Sequence, residues 1–182
     1  VTLREQFTNE GHNVRGENDG EIVVHAVEKY YDLKRDMDVA VMLAARDLKG
    51  DYAYVITDVR ENRLFAVKMG SSLYLGIGDG FTCCSSDLPS ILDLTNQIVI
   101  MKDGEYAELT PEGYRIRSVH DGSPIERAAE ESTLSPENVR KGGYDHFMAK
   151  EIHEQPEKVR ALIEYCKESR EMGPFVEVLD YA

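Results

Sequence analysis

Apolar residues three and four apart mark the first fifty positions, and short β-rich runs mark the stretch that follows. In VTLREQFTNEG, Leu3 and Phe7 lie four apart and Gly11 supplies a stop, which predicts a short helix. Ile22, Val23, Ala26, Val27 and Tyr30 of DGEIVVHAVEKYY form one stripe with the period of an amphipathic helix. Asp36 is placed to cap a third helix, where Met42, Leu43 and Leu48 give a looser stripe before Gly50. From Asp51 the pattern changes to YAYVITDV, RLFAVKM, SLYLGIG, FTCCS and QIVIMK, separated by turn residues such as RENR and GDG. KDGE predicts a hairpin, because Asp-Gly supplies the positive φ angles of a tight turn, and TPEG predicts a second turn before YRIRSV. Helices followed by antiparallel strands predict an α+β fold rather than an alternating βαβ chain.

After His120 the chain turns polar, and DGSPIERAAEESTLSPENVRKGG reads as an exposed connector. The expected organisation is a domain over 1–120, a connector over 121–143 and a helical tail over 144–182. In the tail, Tyr144, Phe147, Met148 and Ile152 share one helical stripe, which predicts inward packing of the last three. Val159, Leu162, Ile163 and Cys166 share another, and Pro156 between them predicts a break or a new start.

Charge narrows the partners. Lys and Arg total 21 against 34 for Asp and Glu, a formal charge of -13 over 182 residues. Such a surface repels phosphate backbones and anionic lipid, so neither nucleic acid nor a membrane is an expected partner. No apolar run approaches the roughly 20 residues of a spanning helix. The three cysteines, Cys83, Cys84 and Cys166, read as reduced thiols of a cytoplasmic protein rather than a disulfide framework.

Candidate chemistry is sparse. His146 and His153 lie seven apart, not the four that zinc helices use, so a solvated helix face is the expectation and no metal site or cofactor is expected. Ser85, Ser86 and Asp87 lack a G-x-S-x-G elbow, and Ser86 reads as the cap of a short helix. Gly76–Gly80 reads as a strand-to-strand turn. Asn18 and Asp19 sit where a helix begins, and capping is the ordinary job for either. A carboxylate there can also hold the ammonium of an amino-acid ligand.

Several stretches, taken in order, resemble one family. GENDGEIVVHAVEKYY, LKGDYAYVITD and KMGSSLYLGIGDGFTCCSSDLPSILDLTNQIVIMKDGEYAELT resemble the second half of a class II glutamine amidotransferase domain. KGGYDHFMAKEIHEQP is similar to the segment joining the glutaminase and sugar-isomerase halves of the glutamine–fructose-6-phosphate aminotransferases, or glucosamine-6-phosphate synthases. The resemblance runs from Leu3 to Pro156. It implies part of an N-terminal-nucleophile αββα sandwich, with two antiparallel sheets between helical layers and a helical tail. It also implies hydrolysis of glutamine to glutamate and ammonia, the ammonia serving amino-sugar synthesis.

In that family pattern an amino-terminal cysteine is the nucleophile and its own α-amine the base. An Asn-Gly pair stabilises the oxyanion, an arginine holds the glutamine carboxylate and an aspartate holds its amino group. Of these, only the aspartate has a counterpart here: Asp19, in ENDGE. Gly20 stands where the family usually has Thr or Ser. No catalytic residue is therefore expected in these 182 residues. The implied partners are glutamine, the missing front of the domain or a chain that supplies it, a sugar-isomerase domain, and further copies of the chain in a homo-oligomer. The alternative is a non-catalytic or regulatory module that keeps the scaffold. The residues preceding Val1 discriminate the two readings.

Overall fold

The computed structural model describes residues 2–134 and 143–168. It divides into two compact units, 1–133 and 134–182.

Three helices open the first unit. α1 (Leu3–Asn9) starts with a capping box, in which Thr2 Oγ1 accepts from the Glu5 amide and Glu5 accepts from the Thr2 amide at 2.9 Å. α2 (Asp19–Lys34) buries Ile22, Ala26 and Val27, all from the expected stripe. α3 (Met37–Asp47) is capped by Asp36, as expected, through the Val39 amide at 3.3 Å. Its buried face differs from the expected one. Met37, Ala40, Val41, Ala44 and Ala45 face the core, while Met42, Leu43 and Leu48 are only half-buried. Alanines one turn apart present little bulk, so α3 joins Ala26 and Val27 of α2 in a single core cluster.

The strands are β1 (Tyr52–Thr57), β2 (Leu64–Met69), β3 (Tyr74–Gly78), β4 (Phe81–Ser85), β5 (Gln97–Ile100), β6 (Glu105–Thr110) and β7 (Gly113–Ser118). Two further strands, β8 (Pro124–Ile125) and β9 (Glu130–Glu131), fall within the stretch read as an exposed connector. The compact unit thus runs past residue 120. β8 pairs with β7 and β9 with β5, and Tyr114 donates to the Arg127 carbonyl at 2.6 Å. Residues 135–142 of the expected connector lie outside the described residues.

All pairings are antiparallel and form two sheets, ordered β1-β2-β6-β7-β8 and β4-β3-β5-β9. Alternation along the strands separates two cores. Phe65, Val67 and Tyr106 turn toward α2 and α3. Ala66, Ala107, Leu109 and Ile116 turn toward the second sheet, where Leu75, Val99 and Met101 meet them. Full burial of each large apolar side chain contributes about 1.5–3 kcal/mol. On the outer face of the second sheet lies α4 (Leu88–Leu92), whose Ile91 packs where a Cβ on Gly76 would come within 2.6 Å.

KDGE is a turn but not a hairpin. It carries the chain from β5 in one sheet to β6 in the other. Before the turn, the Met101 amide bonds the Leu73 carbonyl at 3.1 Å; within it, the Gly104 amide bonds the Lys68 carbonyl at 3.0 Å. Gly104 adopts a φ of 75°, the positive angle the dipeptide promised. GDG and TPEG do close hairpins, at Gly78↔Phe81 and Thr110↔Gly113.

In the second unit, α5 (Phe147–Glu168) runs unbroken through Pro156, where two helices were expected. Helical hydrogen bonds on both sides of one missing donor hold the rod together. Phe147, Met148 and Ile152, expected to pack inward, stand exposed, as do Val159 and Leu162. The described residues of this unit form one helix and offer no second element to cover its stripe.

Candidate functional site

The loop that enters α2 is fixed from two directions. Glu21, in the first turn, accepts from the amides of Arg15 at 2.8 Å and Gly16 at 2.7 Å. Those bonds, Arg15's above all, hold its carboxyl below the usual range. From α1, Arg4 donates to the Gly16 carbonyl at 2.5 Å and to the Asn18 carbonyl at 3.5 Å. Asn18 is the cap, its Oδ1 accepting from the Gly20 amide at 2.7 Å. Gly20 fits this cap closely, since a Cβ there would lie 3.1 Å from Asn18 Oδ1.

Asp19 is consequently the first helical residue and not the cap. Among the described residues no group bonds its exposed carboxylate, which sits at the positive end of the α2 dipole. It lines a cleft of about 500 Å³ between the helices and the sheet. Ile22 and Val23 of α2, Leu3 of α1 and Tyr52 of β1 supply apolar wall, while Arg4, Lys49 and Asp51 add charge. Two cations and two carboxylates on one apolar cleft suit a small zwitterion, whose ammonium needs a charged acceptor and whose carboxylate needs a donor. Arg4 and Lys49 escape a sequence reading because they come from α1 and from the α3–β1 loop, far from Asp19 in the chain.

Other candidates resolve differently. Asp87, not Ser86, caps α4, with Oδ2 accepting from the Ser90 amide at 3.0 Å. The carboxylate reaches one residue further along the chain than the hydroxyl at 86. Gly76–Gly80 ends β3 and enters the β3–β4 turn, with no helix behind it. Burial pushes the Cys83 and Cys84 thiols up, away from the thiolate a nucleophile requires. His153 bonds the Ala149 carbonyl of its own helix at 2.7 Å. A cavity of about 310 Å³ near Arg63 and another of about 560 Å³ near Arg115, Arg117 and Arg127 hold arginines already ion-paired with Glu61, Glu108, Asp38 or Glu105. The Asp19 cleft instead keeps its own two carboxylates, Asp19 and Asp51, without an ion pair among the described residues.

The pattern that defines the glutamine amidotransferase domain matches residues 1–93. The chain belongs to that family. This amidotransferase chain is 36% identical over 176 residues to glutamine–fructose-6-phosphate aminotransferase [isomerizing] of Aquifex aeolicus, covering 96% of this chain and 29% of the relative. The protein of the same name from Methanothermobacter thermautotrophicus is 37% identical over 161 residues, covering 88% and 27%. The chain therefore spans under a third of the length of these relatives. A solved glutamine phosphoribosylpyrophosphate amidotransferase from B. subtilis, complexed with ADP and GMP, superposes with a TM-score of 0.55. At 19% identity, over 64% of this chain and 26% of that one, it supports the α+β fold with antiparallel sheets. Among the described residues no helix is long and apolar enough to cross a membrane.

Proposed function

We propose that this amidotransferase chain forms part of a glutaminase that supplies ammonia for amino-sugar synthesis, and that Asp19 holds the α-ammonium of glutamine. The observation that carries the reading is the Asp19 carboxylate, left without a bond on the wall of the cleft by the Asn18 cap. None of Cys83, Cys84 and Cys166 fits the nucleophile, so that role is assigned to residues outside these 182. The word "isomerizing" in the relatives' names, and the small share of their length matched here, support a sugar-isomerase half beyond this stretch. The same reading places the protein in the cytoplasm, with its free cysteines reduced, as a homo-oligomer.

The test is discrimination between glutamine and glutaramic acid, which lacks the α-amine, by the complete enzyme. The wild type should favour glutamine, and Asp19→Asn should lose about tenfold to a hundredfold of that preference, the worth of a charged hydrogen bond. An Asp19→Asn protein that discriminates as well as the wild type overturns the assignment.

A further inference from the structure

His12 follows the turn that ends α1, while His25 and Glu28 project from one face of α2. Their donor atoms all lie within 4.8 Å of one another. His12 Nδ1 and His25 Nδ1 each stand 3.3 Å from the same Glu28 Oε2. Bonds of about 2.0–2.1 Å at tetrahedral angles place neighbouring zinc donors about 3.3 Å apart, so two edges of a coordination tetrahedron already have the right length.

We propose that His12, His25 and Glu28 form a binding site for a divalent cation of the zinc class. Three further features support it. Glu21 Oε1 lies 3.8 Å from His25 Nε2 and is held there by its bonds to the Arg15 and Gly16 amides. A cation between Nδ1 and Glu28 would take the place of the proton there, and Glu21 stands on the Nε2 side as the outer carboxylate that a ligating histidine's remaining N–H uses. Both imidazoles are largely buried, at 17% and 13% exposure, with their rings edge-on at 5.1 Å and packed beside Phe7, so their orientations are set by the core. Glu28, at 56%, leaves an open side for entry and for a water as fourth ligand. The bound ion pins the turn after α1 to α2 and stiffens the loop that leads to Asn18. The site stands apart from the glutamine cleft, and its test does not depend on glutamine.

Co²⁺ titration of the full chain at neutral pH tests it. The wild type takes up a stoichiometric ion with the visible spectrum of tetrahedral cobalt, which Zn²⁺ displaces. His12→Ala and His25→Ala abolish that spectrum, whereas His146→Ala keeps it. Glu28→Gln changes an exposed position and keeps the fold. It weakens Co²⁺ by more than the roughly tenfold that loss of an outer partner costs, and cancels the rise in melting temperature that Zn²⁺ gives the wild type. If either histidine variant does not fold, Glu28→Gln decides alone. No uptake by the wild type, or undiminished uptake by Glu28→Gln, overturns the site and leaves a hydrogen-bonded staple.

Discussion

Asn18 and Asp19 divide the start of α2 between them: Asn18 Oδ1 takes the Gly20 amide at 2.7 Å, and the Asp19 carboxylate is left facing the cleft. Their substitutions should separate stability from binding. Asn18→Ala removes a cap and should cost about 1 kcal/mol. Asp19→Asn loses only a charge near the helix dipole, worth about 0.3–1 kcal/mol at an exposed site. Urea denaturation of both variants checks this. If Asp19→Asn is the more destabilising, the carboxylate is structural and the division fails.

Arg127 clamps Glu105 through two bonds of 2.6 Å, and the Lys102 amide adds a third to the same carboxylate at 2.8 Å. Burial pushes the Glu105 carboxyl up, but Arg127 and the amide outweigh it and the net shift is downward. A depressed carboxylate contributes stability above its unfolded value of about 4.3 and loses it as pH falls through the native value. Arg127→Ala strands a buried charge and should cost about 3 kcal/mol near neutral pH. Denaturation across a pH series should show the gap to wild type narrowing as pH falls and closing once Glu105 is protonated in both, below its depressed wild-type value. A constant gap would mean that packing, and not charge, carries the effect.

The helices and most strands were legible because their periods are local: the stripe of α2, the Asp36 cap and the GDG and TPEG hairpins all hold. What failed depended on distant partners. KDGE has the chemistry of a hairpin, yet Leu73 and Lys68 capture its two sides into different sheets. The polar stretch after His120 hides β8 and β9, because two-residue strands owe their existence to Arg127–Glu105 and the Tyr114 bond rather than to their own propensity. At the site, Asp19 was visible as a carboxylate at a helix start and singled out by the family pattern, while Arg4 and Lys49 needed the fold. His12 and His25 were invisible as a pair, since they are thirteen residues apart on different elements and match no helical ligand spacing.

Tyr52 and Tyr54 are neighbours on β1 with opposite fortunes. Tyr52 donates to the Ala45 carbonyl at 2.7 Å, whereas the buried Tyr54 hydroxyl has no partner among the described residues. Burial, reinforced by Tyr52, pushes the Tyr54 phenol up beyond the ordinary tyrosine range. Tyr52→Phe should therefore cost about 1 kcal/mol, while Tyr54→Phe should cost nothing and gain up to about 1 kcal/mol. Thermal melts of the two variants decide it. A clear loss in Tyr54→Phe would reveal a partner, such as a buried water, for the hydroxyl.

Pro156 sits in the interior of α5 and removes the amide that the Ile152 carbonyl would accept four residues back. The helix survives because its remaining hydrogen bonds continue on both sides, with Lys150 and Glu154 one turn apart adding an ion pair at 3.8 Å. Pro156→Ala restores the missing donor and removes the ring clash, which in an exposed helix interior is worth up to about 3 kcal/mol. The variant should show a stronger helical signal by far-ultraviolet circular dichroism and slower amide exchange through the middle of α5. If the proline instead marks a true break between two helices, as the sequence pattern alone predicts, the substitution would have to build a continuous helix anew. Exchange in the wild type distinguishes these cases: protection continuing from Ile152 to Val159 supports the single helix, and an unprotected gap at Pro156 defeats it.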